Sequence, residues 1–483
     1  MHFLSVLYDY LFNFAKFRWL QCQIFVANYD KITDMKKNGL KLFLLLALCL
    51  PLFYSCKQVS IDITDLISTV PSSANGVVGI NLKSILEKSG CTVNGSEITA
   101  GKELEKLLSH QNGSNSEVVK MLFNGDSGID PLGAVAFFDA NKGFVTCMLA
   151  DVNKFKAFVE KESGSVFEDK GKGVQICGNI AMKGPQAWLC FTSYTIDDPG
   201  LIDSYANMPE GSSYIQNPFS KEIATMTNDI TGWVQLRTLL GQTVSFQDIA
   251  IVNMVSSVLF EDPVSIKFTV NFLKGRMNIT ASMLNDKGKP AKYLLPAEKI
   301  DVSTVEKVGE STDLLVAMTI TPKLIESISR LGKAVAGNLY ESMKEGLDHI
   351  DGTVAVAFSN PEEMSQNISG IVTTDGQTPL TLLQIISGIA PYRKDGKFIL
   401  FSKGTMQGNL DVKEGAALLK GSAIGIVGSL ETFRYTPVPS LKSLSVSLIP
   451  EGGSLHCNLV ITSVNKDENI LLSIIKDNPE GLF

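Results

Sequence analysis

Two segments that alternate strictly between apolar and polar residues constrain the fold most. The first reads SIKFTVNF and MNITASML around a turn at residues 274–276, and the second reads SLSVSLIP and LHCNLVIT around a turn at residues 451–454. A period of two places successive side chains on opposite faces of a strand. Each segment therefore predicts a half-buried antiparallel hairpin, whose apolar face in the second hairpin carries Leu444, Val446 and Leu448.

Other short segments match between the two halves of the chain in the same order. The matched pairs are VVGINL at 77–82 with LVAMTI at 315–320, AVAF at 134–137 with AVAF at 355–358, GFVT at 143–146 with GIVT at 370–373, and GWVQLRTLL from Gly232 with GNLDVKEGAALL from Gly408. With the hairpins, they indicate an internal duplication. The predicted fold is α+β, with two tandem related units, each a mainly antiparallel sheet with helices packed on one face.

The proposed units cover residues 65–297 and 303–483. The segment at 288–304 is interpreted as a linker between them. The first unit is longer mainly because of an insertion at about 196–230, rich in Pro, Gly and aromatic residues. Insertions on a repeated scaffold often carry what distinguishes one copy from the other.

The N-terminal region reads as an export signal. Three lysines, Lys36, Lys37 and Lys41, precede an apolar run at 42–53 that is too short to span a membrane. Ser55–Cys56 follows and resembles a bacterial lipobox, so residues 35–55 are predicted to be a lipoprotein signal peptide and Cys56 the lipidated residue. An uncleaved anchor and a plain secretory peptide are the alternatives. Residues 1–34 are interpreted as a mis-called N-terminal extension.

The sequence after the signal resembles a known family. Val70-Pro71-Ser72-Ser73-Ala74 precedes VVGINLKSILEKSGC at 77–91. The Pro-x-x-Ala pattern, the strand ending in Asn-Leu and the Lys-containing helix resemble the Bacteroidales lipoprotein family designated domain of unknown function 4836. The resemblance extends over about 65–483 and implies a location in the cell envelope and the α+β architecture predicted above. It brings no established activity and no catalytic residues.

Charge limits the classes of partner. The full chain has a formal net charge of −7, and residues 56–483, with 37 Lys and Arg against 47 Asp and Glu, have −10. An acidic chain without a basic run disfavours nucleic-acid binding. The expected partners are the membrane, through the lipid anchor, and an envelope protein or glycan. The predicted location is the cell envelope at the outer membrane; the side it faces and the oligomeric state stay open.

Five cysteines follow Cys56, and none has CxxC spacing. An exported protein can form disulfides. An odd number of cysteines, four of them in strand-like runs, favours buried thiols instead. A Cys177–Cys190 bridge across a hairpin is the alternative.

Two motifs match catalytic signatures, but the partner residues that those signatures require are missing. Gly125-Asp126-Ser127-Gly128 matches the nucleophile signature of trypsin-like proteases, but His110, in LLSHQNGS, is the one histidine upstream of it in the mature chain. We therefore interpret Ser127 as a turn residue. Ser473 and Lys476 match S-x-x-K but lack the S-D-N and K-T-G partners of penicillin-binding enzymes. No catalytic residue is predicted.

No metal or cofactor site is predicted either. His110, His349 and His456 share no metal-binding spacing. Asp348-His349-Ile350-Asp351 is interpreted as a turn with an Asp cap, and His456 as a solvent-facing or cross-strand residue.

The sequence thus predicts a non-enzymatic binding or scaffolding protein. A surface carbohydrate- or peptide-binding lipoprotein is one alternative; it requires an open groove between the units with an exposed Trp or Tyr. Trp188 and Trp233, the tryptophans of the mature chain, are expected in the core. An envelope hydrolase with dispersed carboxylates is the other alternative. It requires paired carboxylates in a cleft, one with a raised pKa.

Overall fold

The computed structural model describes residues 61–103, 127–140, 142–193, 195–236, 259–327, 329, 344–360, 366–432 and 438–477. Residues 1–34, the signal at 35–55, Cys56 and His110 lie outside these ranges. The described strands are β1 Gly76–Ile80, β2 Thr92–Asn94, β3 Glu97–Thr99, β4 Ile129–Asp139, β5 Lys142–Leu149, β6 Glu168–Asp169, β7 Val174–Cys177, β8 Ile180–Lys183, β9 Gln186–Cys190, β10 Ile230–Gln235, β11 Ser265–Leu273, β12 Arg276–Leu284, β13 Ser311–Thr312, β14 Leu314–Ile320, β15 Ile350–Phe358, β16 Ile368–Thr374, β17 Tyr392–Asp395, β18 Phe398–Lys403, β19 Leu410–Asp411, β20 Ile424–Ser429, β21 Leu441–Glu451 and β22 Ser454–Ser463.

Eighteen of these strands form one antiparallel sheet, so the fold is α+β with a large antiparallel sheet. Both predicted hairpins are confirmed, as β11–β12 and β21–β22. The turn at Gly171-Lys172-Gly173 joins β6 to β7, with all three residues at positive φ. From edge to edge the strand order is β17, β18, β16, β15, β14, β20, β21, β22, β12, β11, β10, β1, β4, β5, β9, β8, β7 and β6.

The pairing of β12 with β22 lies near the middle of this order. Thr280 pairs with Asn458, and each is the fifth residue of its own strand. Counted outward from this pair, one side runs hairpin strand, β10, β1, β4, β5, β9, β8. The other runs hairpin strand, β20, β14, β15, β16, β18, β17. The strands at equal distances from the β12–β22 pair therefore also follow one another in the same order along the chain.

The AVAF match is one residue out of register in this arrangement. In the sheet, Val135 corresponds to Ala355. Val135 pairs with Gly79 of β1, and Ala355 pairs with Ala317, which is the residue of β14 at the same position. Both ladders shift register earlier in the strand, between Ile129 and Ala134 in β4 and between Ile350 and Val354 in β15. The shift contains one more residue in β4. Since neighbouring side chains point to opposite faces, the ungapped match compares side chains on different faces.

The sequence match between residues 232 onward and 408 onward pairs segments that do not correspond in the sheet. Gly232 lies in β10, whereas residues 410–418 form the short strand β19 and a helix that precedes β20. By position in the sheet, β10 corresponds to β20. Both segments begin with Gly and contain apolar residues, and the sequence alone did not distinguish the strand from the helix before it.

The structure describes nine α-helices from their first residue to their last. They are α1 Thr64–Ser68, α2 Leu82–Glu87, α3 Val152–Ser163, α4 Pro199–Ala206, α5 Ser220–Ala224, α6 Val302–Val305, α7 Leu380–Ser387, α8 Val412–Leu418 and α9 Ile470–Asp477. Within the described part of the chain, no helix is long and apolar enough to cross a membrane.

The helices pack on both faces of the sheet, so the prediction of one covered face is wrong. In the first half, α1, α4 and α5 pack on the face of Val77, Val135 and Phe137. On the opposite face, α2, α3 and α9 pack against residues such as Val78 and Ala136. In the second half, α6 and α8 cover one face and α7 the other. Most outer strands of the large sheet are apolar on both sides, which requires two covering layers.

A buried ion pair fixes α2 to the sheet. Asp229, just before β10, is fully buried, and Lys88, just after α2, is 5% exposed. The Lys88 ammonium lies 2.5 and 2.6 Å from the two Asp229 carboxylate oxygens. Ser84 Oγ donates to the same carboxylate at 2.6 Å, and the backbone N–H of Phe272 donates at 2.7 Å. One carboxylate thus links a helix to two strands.

Replacing Asp229 by alanine should destabilise the fold strongly. The change leaves the Lys88 ammonium buried without its counter-charge, which costs about 3–5 kcal/mol. Urea unfolding followed by circular dichroism measures the loss. Lys170→Ala is the matched control, because the Lys170–Glu168 pair is exposed, and it should leave the unfolding midpoint unchanged. Equal midpoint shifts in the two variants would contradict the structural role of Asp229.

Candidate functional site at the sheet junction

The described end of the GDSG segment, Ser127 and Gly128, is buried. Ser127 is 1% exposed, and its Oγ accepts a hydrogen bond from the backbone N–H of Ile129 at 3.4 Å. Gly128 has a φ of +73°, and a Cβ there would lie 2.4 Å from the backbone oxygen of Asp151. Asp151 caps α3 through its side chain. The glycine is therefore required where the turn meets the start of α3, and the motif has a structural explanation.

The histidine and carboxylate candidates are dispersed. His349 Nδ1 lies 2.9 Å from an Asp375 oxygen, while Asp348 pairs with Lys344 at 2.7 Å. His456 is a cross-strand residue, with Nδ1 2.7 Å from Ser282 Oγ. Over the residues that the structure describes, no group of three His, Cys, Asp or Glu side chains is arranged to hold a metal ion.

The S-x-x-K pair lies in helix α9. Ser473 is 3% exposed and donates to a Glu468 carboxylate oxygen at 2.9 Å, and Lys476 also pairs with Glu468. Serine and lysine therefore both bind the same carboxylate, which places the motif in the packing of α9 against the sheet.

The resolved carboxyl pKa shifts are downward. A hydrogen bond from Ser303 lowers the pKa of Asp301, one from Lys183 lowers that of Asp203, and one from Lys442 lowers that of Glu414. A general acid needs the opposite shift. These carboxyl groups cap helices or bind lysines, so they give the hydrolase alternative no candidate acid.

The five cysteines that the structure describes are thiols, and Cys457 is the least buried of them. Cys177 and Cys190 do not form a disulfide. Burial, and secondarily the Asp130 charge, raises the pKa of the Cys147 thiol to about 12. Cys457 is half-buried in β22, and burial raises its pKa as well.

Neither tryptophan is an exposed aromatic platform. Trp188 is fully buried. Trp233 is half-buried, donates its indole N–H to Ser265 Oγ at 3.0 Å and packs against Tyr214 at a centroid distance of 5.8 Å. Tyr214, from the 196–230 insertion, is fully buried. The inserted segment therefore contributes to the core of the first half.

The four strands β21, β22, β12 and β11, which we call the junction, differ from the rest of the sheet. One face of the junction is polar. Thr280 lies opposite Asn458 there, and the hydroxyls of Thr269 and Thr280 are 2.7 Å apart. A partly solvated polar face is ordinary for an antiparallel sheet.

Ion pairs flank this polar face. Lys267 of β11 pairs with Glu222 of α5 at 2.7 Å, and Lys442 of β21 pairs with Glu414 of α8 at 2.6 Å. Each pair joins the helix before β10 or β20 to the first strand of the following hairpin.

The opposite face of the junction is apolar and incompletely covered. We call it the apolar floor, and it continues onto β20 and β14. Its half-buried or exposed side chains are Ile266, Phe268, Met277, Ile279, Ala281, Met283, Cys457, Leu459, Ile461, Leu444, Val446, Leu448, Ile424, Ile426, Leu314, Val316 and Met318. Ile426 is 39% exposed. A contiguous apolar surface of this kind is typical of an interaction site.

In strand β21 the polar side chains are more deeply buried than the apolar ones, the reverse of what the alternation leads one to expect. Ser443, Ser445 and Ser447 are 1–2% exposed on the polar side, whereas Leu444 and Val446 are only half-buried on the floor. The predicted alternation of β21 is confirmed, but its apolar residues were expected on the buried face. Ser445 Oγ has no hydrogen-bond partner among the described residues.

Packed segments bound the floor at both strand ends. Helix α9 lies at one end, where Leu471 and Ile474 join the cluster that includes Val270 and Phe272. At the other end, Phe260, Ala291 and neighbouring residues of 259–297 pack on Leu455, Met283 and Leu448. The predicted linker therefore packs against the junction: Tyr293 N–H donates to the Gly453 backbone oxygen at 2.8 Å.

A serine-directed fluorophosphonate should not label Ser127. The hydroxyl is buried and no described histidine contacts it. Gel fluorescence of the purified protein measures labelling, with trypsin as the positive control. Labelling that disappears in Ser127→Ala would contradict the interpretation of Ser127 as a turn residue.

No protein-family model and no curated protein matches this chain. Among solved structures, crystal form IV of TP0453 matches with a TM-score of 0.30 and 11% identity, over 47% of this chain and 81% of that chain. Crystal form I of TP0453 has a TM-score of 0.28 and 9% identity, over 74% of this chain and 97% of that chain. Similarity at this level carries no conclusion about fold or activity.

Proposed function

We propose that this chain is a lipid-anchored protein of the cell envelope, at the outer membrane, that binds a partner at the junction and catalyses no reaction. The apolar floor is the observation that carries the binding role. Partly exposed Leu, Ile, Val and Met side chains on six neighbouring strands form a contiguous apolar surface. Burying such surface favours association by about 25 cal/mol per Å².

We also propose that the chain consists of two tandem related units, about 65–297 and 303–483. The shared order of strands on the two sides of the β12–β22 pair supports this division. The hairpins support it further, because Thr280 and Asn458 pair with each other from equal positions in their strands. Two copies related by a twofold axis through this pair would place the same surface of each copy at the junction.

Residues with catalytic potential give no competing function. Ser127 is buried in a turn, Ser473 is packed against the sheet, and His349 and His456 bind separate partners in separate places. The junction instead combines an apolar floor with a polar reverse side. An arrangement of this kind can hold a ligand by contact without any group positioned to transform it.

The anchor depends on Cys56, so Cys56→Ala should abolish lipidation. Cells fed an alkyne-tagged palmitate should incorporate the tag into the wild-type protein and into Cys49→Ala, the matched control in the apolar run of the signal. In-gel fluorescence after coupling a dye to the tag measures incorporation. Undiminished labelling of Cys56→Ala would refute the anchor at this residue.

Binding at the junction predicts position-dependent cross-linking in living cells. Benzoylphenylalanine placed at Ile426, 39% exposed on the floor, should give a cross-linked adduct on irradiation. The same residue at Val166, 70% exposed in the loop after α3, is the matched control and should give none. Adducts at neither position, or equally at both, would contradict a binding site at the junction.

A further inference from the structure

We propose that the apolar floor binds an acyl chain of a membrane phospholipid. This inference deepens the proposed function, because it rests on the junction as the binding site and on the anchor that holds the protein at a membrane. It follows from the chemistry of the floor, its dimensions and the distance of the described body from Cys56.

The chemistry of the floor excludes a polar occupant. Apart from the buried Ser463 at the end of β22, every floor position on the described strands β11, β12, β22, β21, β20 and β14 is aliphatic, aromatic, thioether, thiol, Pro or Gly. Each of these strands is paired on both sides, so its backbone N–H and C=O groups are used within the sheet. A sugar or an extended peptide would lose hydrogen bonds to water and gain none from the floor. A hydrocarbon chain has no such loss.

The dimensions of the floor suit one acyl chain. Adjacent strands lie about 4.8 Å apart, so the six strands extend over about 24 Å. One lipid chain spans one leaflet, about 15 Å of the hydrocarbon core. A chain of that length, lying across the strands, fits within the width of the floor. The packed segments at the strand ends, α9 and residues 259–297, limit the floor in the other direction.

The tether selects a membrane lipid as the source of the chain. Four residues lie between Cys56 and Ile61, and the five Cα steps give a reach of at most about 18 Å. Ile61 is 2% exposed, and its N–H donates to the Met226 backbone oxygen at 3.3 Å, so the packed body begins there. With Cys56 in the bilayer, the protein is held within reach of phospholipid.

Cys457 is a built-in reporter of occupancy. It lies on the floor, next to Leu448 and Ala281 in the ladder. The other four cysteines after Cys56 are 1–6% exposed. A thiol reagent should therefore modify Cys457 first, and a chain lying on the floor should block it.

The test measures the rate of Cys457 modification by N-ethylmaleimide at pH 8, with peptide mapping by mass spectrometry. It uses residues 57–483, the processed chain without its lipidated Cys56, which contains every described element but not the anchor. Vesicles of palmitoyl-oleoyl phosphatidylethanolamine and phosphatidylglycerol should slow modification at least ten-fold. Glycerophosphoglycerol, which has the head group without chains, should not slow it.

Two adjacent substitutions separate the faces. Ile279→Lys puts a charge on the floor and should abolish protection by vesicles. Thr280→Lys puts the same charge on the polar face, where Thr280 is exposed, and should retain protection. Circular dichroism checks that both variants fold, and the wild-type comparison of vesicles with glycerophosphoglycerol stands without either variant.

Four outcomes would overturn the proposal. They are no protection by vesicles, protection by palmitate alone without protection by vesicles, protection that rises with protein concentration in the absence of lipid, and equal effects of the two lysine variants. The second assigns a free fatty acid and the third a second copy of the chain. Because this protein lacks the anchor, failure here leaves the Cys56 labelling result intact. Adducts at Ile426 in cells would then point to another occupant.

Discussion

Seven residue pairs join β12 to β22 and make one continuous sheet from the two halves of the chain. Without this pairing each half would end in an open strand, and unpaired strand edges promote aggregation. The edges that remain are small or charged. One is the two-residue strand β6, and the other is β17, which carries Arg393 and Lys394 among four exposed residues. The junction is therefore the interior of the sheet and its central structural feature.

The same pairing explains where the surface is incompletely covered. Each half packs helices over its outer strands, such as α3 through its Phe155 and α7 through its Leu382. The hairpins that meet at the junction lie farthest from both sets of outer helices. Helix α9 and residues 259–297 reach the ends of the junction strands, and the side chains between them stay half-buried.

Sequence periodicity predicted both hairpins because alternation needs only local information. It could not tell which face of β21 is buried, since that depends on which layer packs there, and the serines are the buried residues. The AVAF match failed by one residue because a register shift in β4 contains an extra residue, which no four-letter match can detect. Ser127, interpreted as a turn residue, is buried directly before β4. The floor itself carries no motif, since nearly all its side chains are aliphatic, aromatic or sulfur-containing.

The reversed burial of β21 conflicts with stability as the sole requirement. Exchanging buried serines for apolar residues, and half-exposed Leu444 and Val446 for polar ones, would increase apolar burial and remove the unsatisfied Ser445 hydroxyl. Local rules that a sequence breaks without an evident structural gain occur most often at functional sites. At the junction the gain appears once an apolar chain covers the floor, because the half-exposed side chains then become interior ones. The cost in the unliganded protein and the affinity for an occupant thus have the same physical origin.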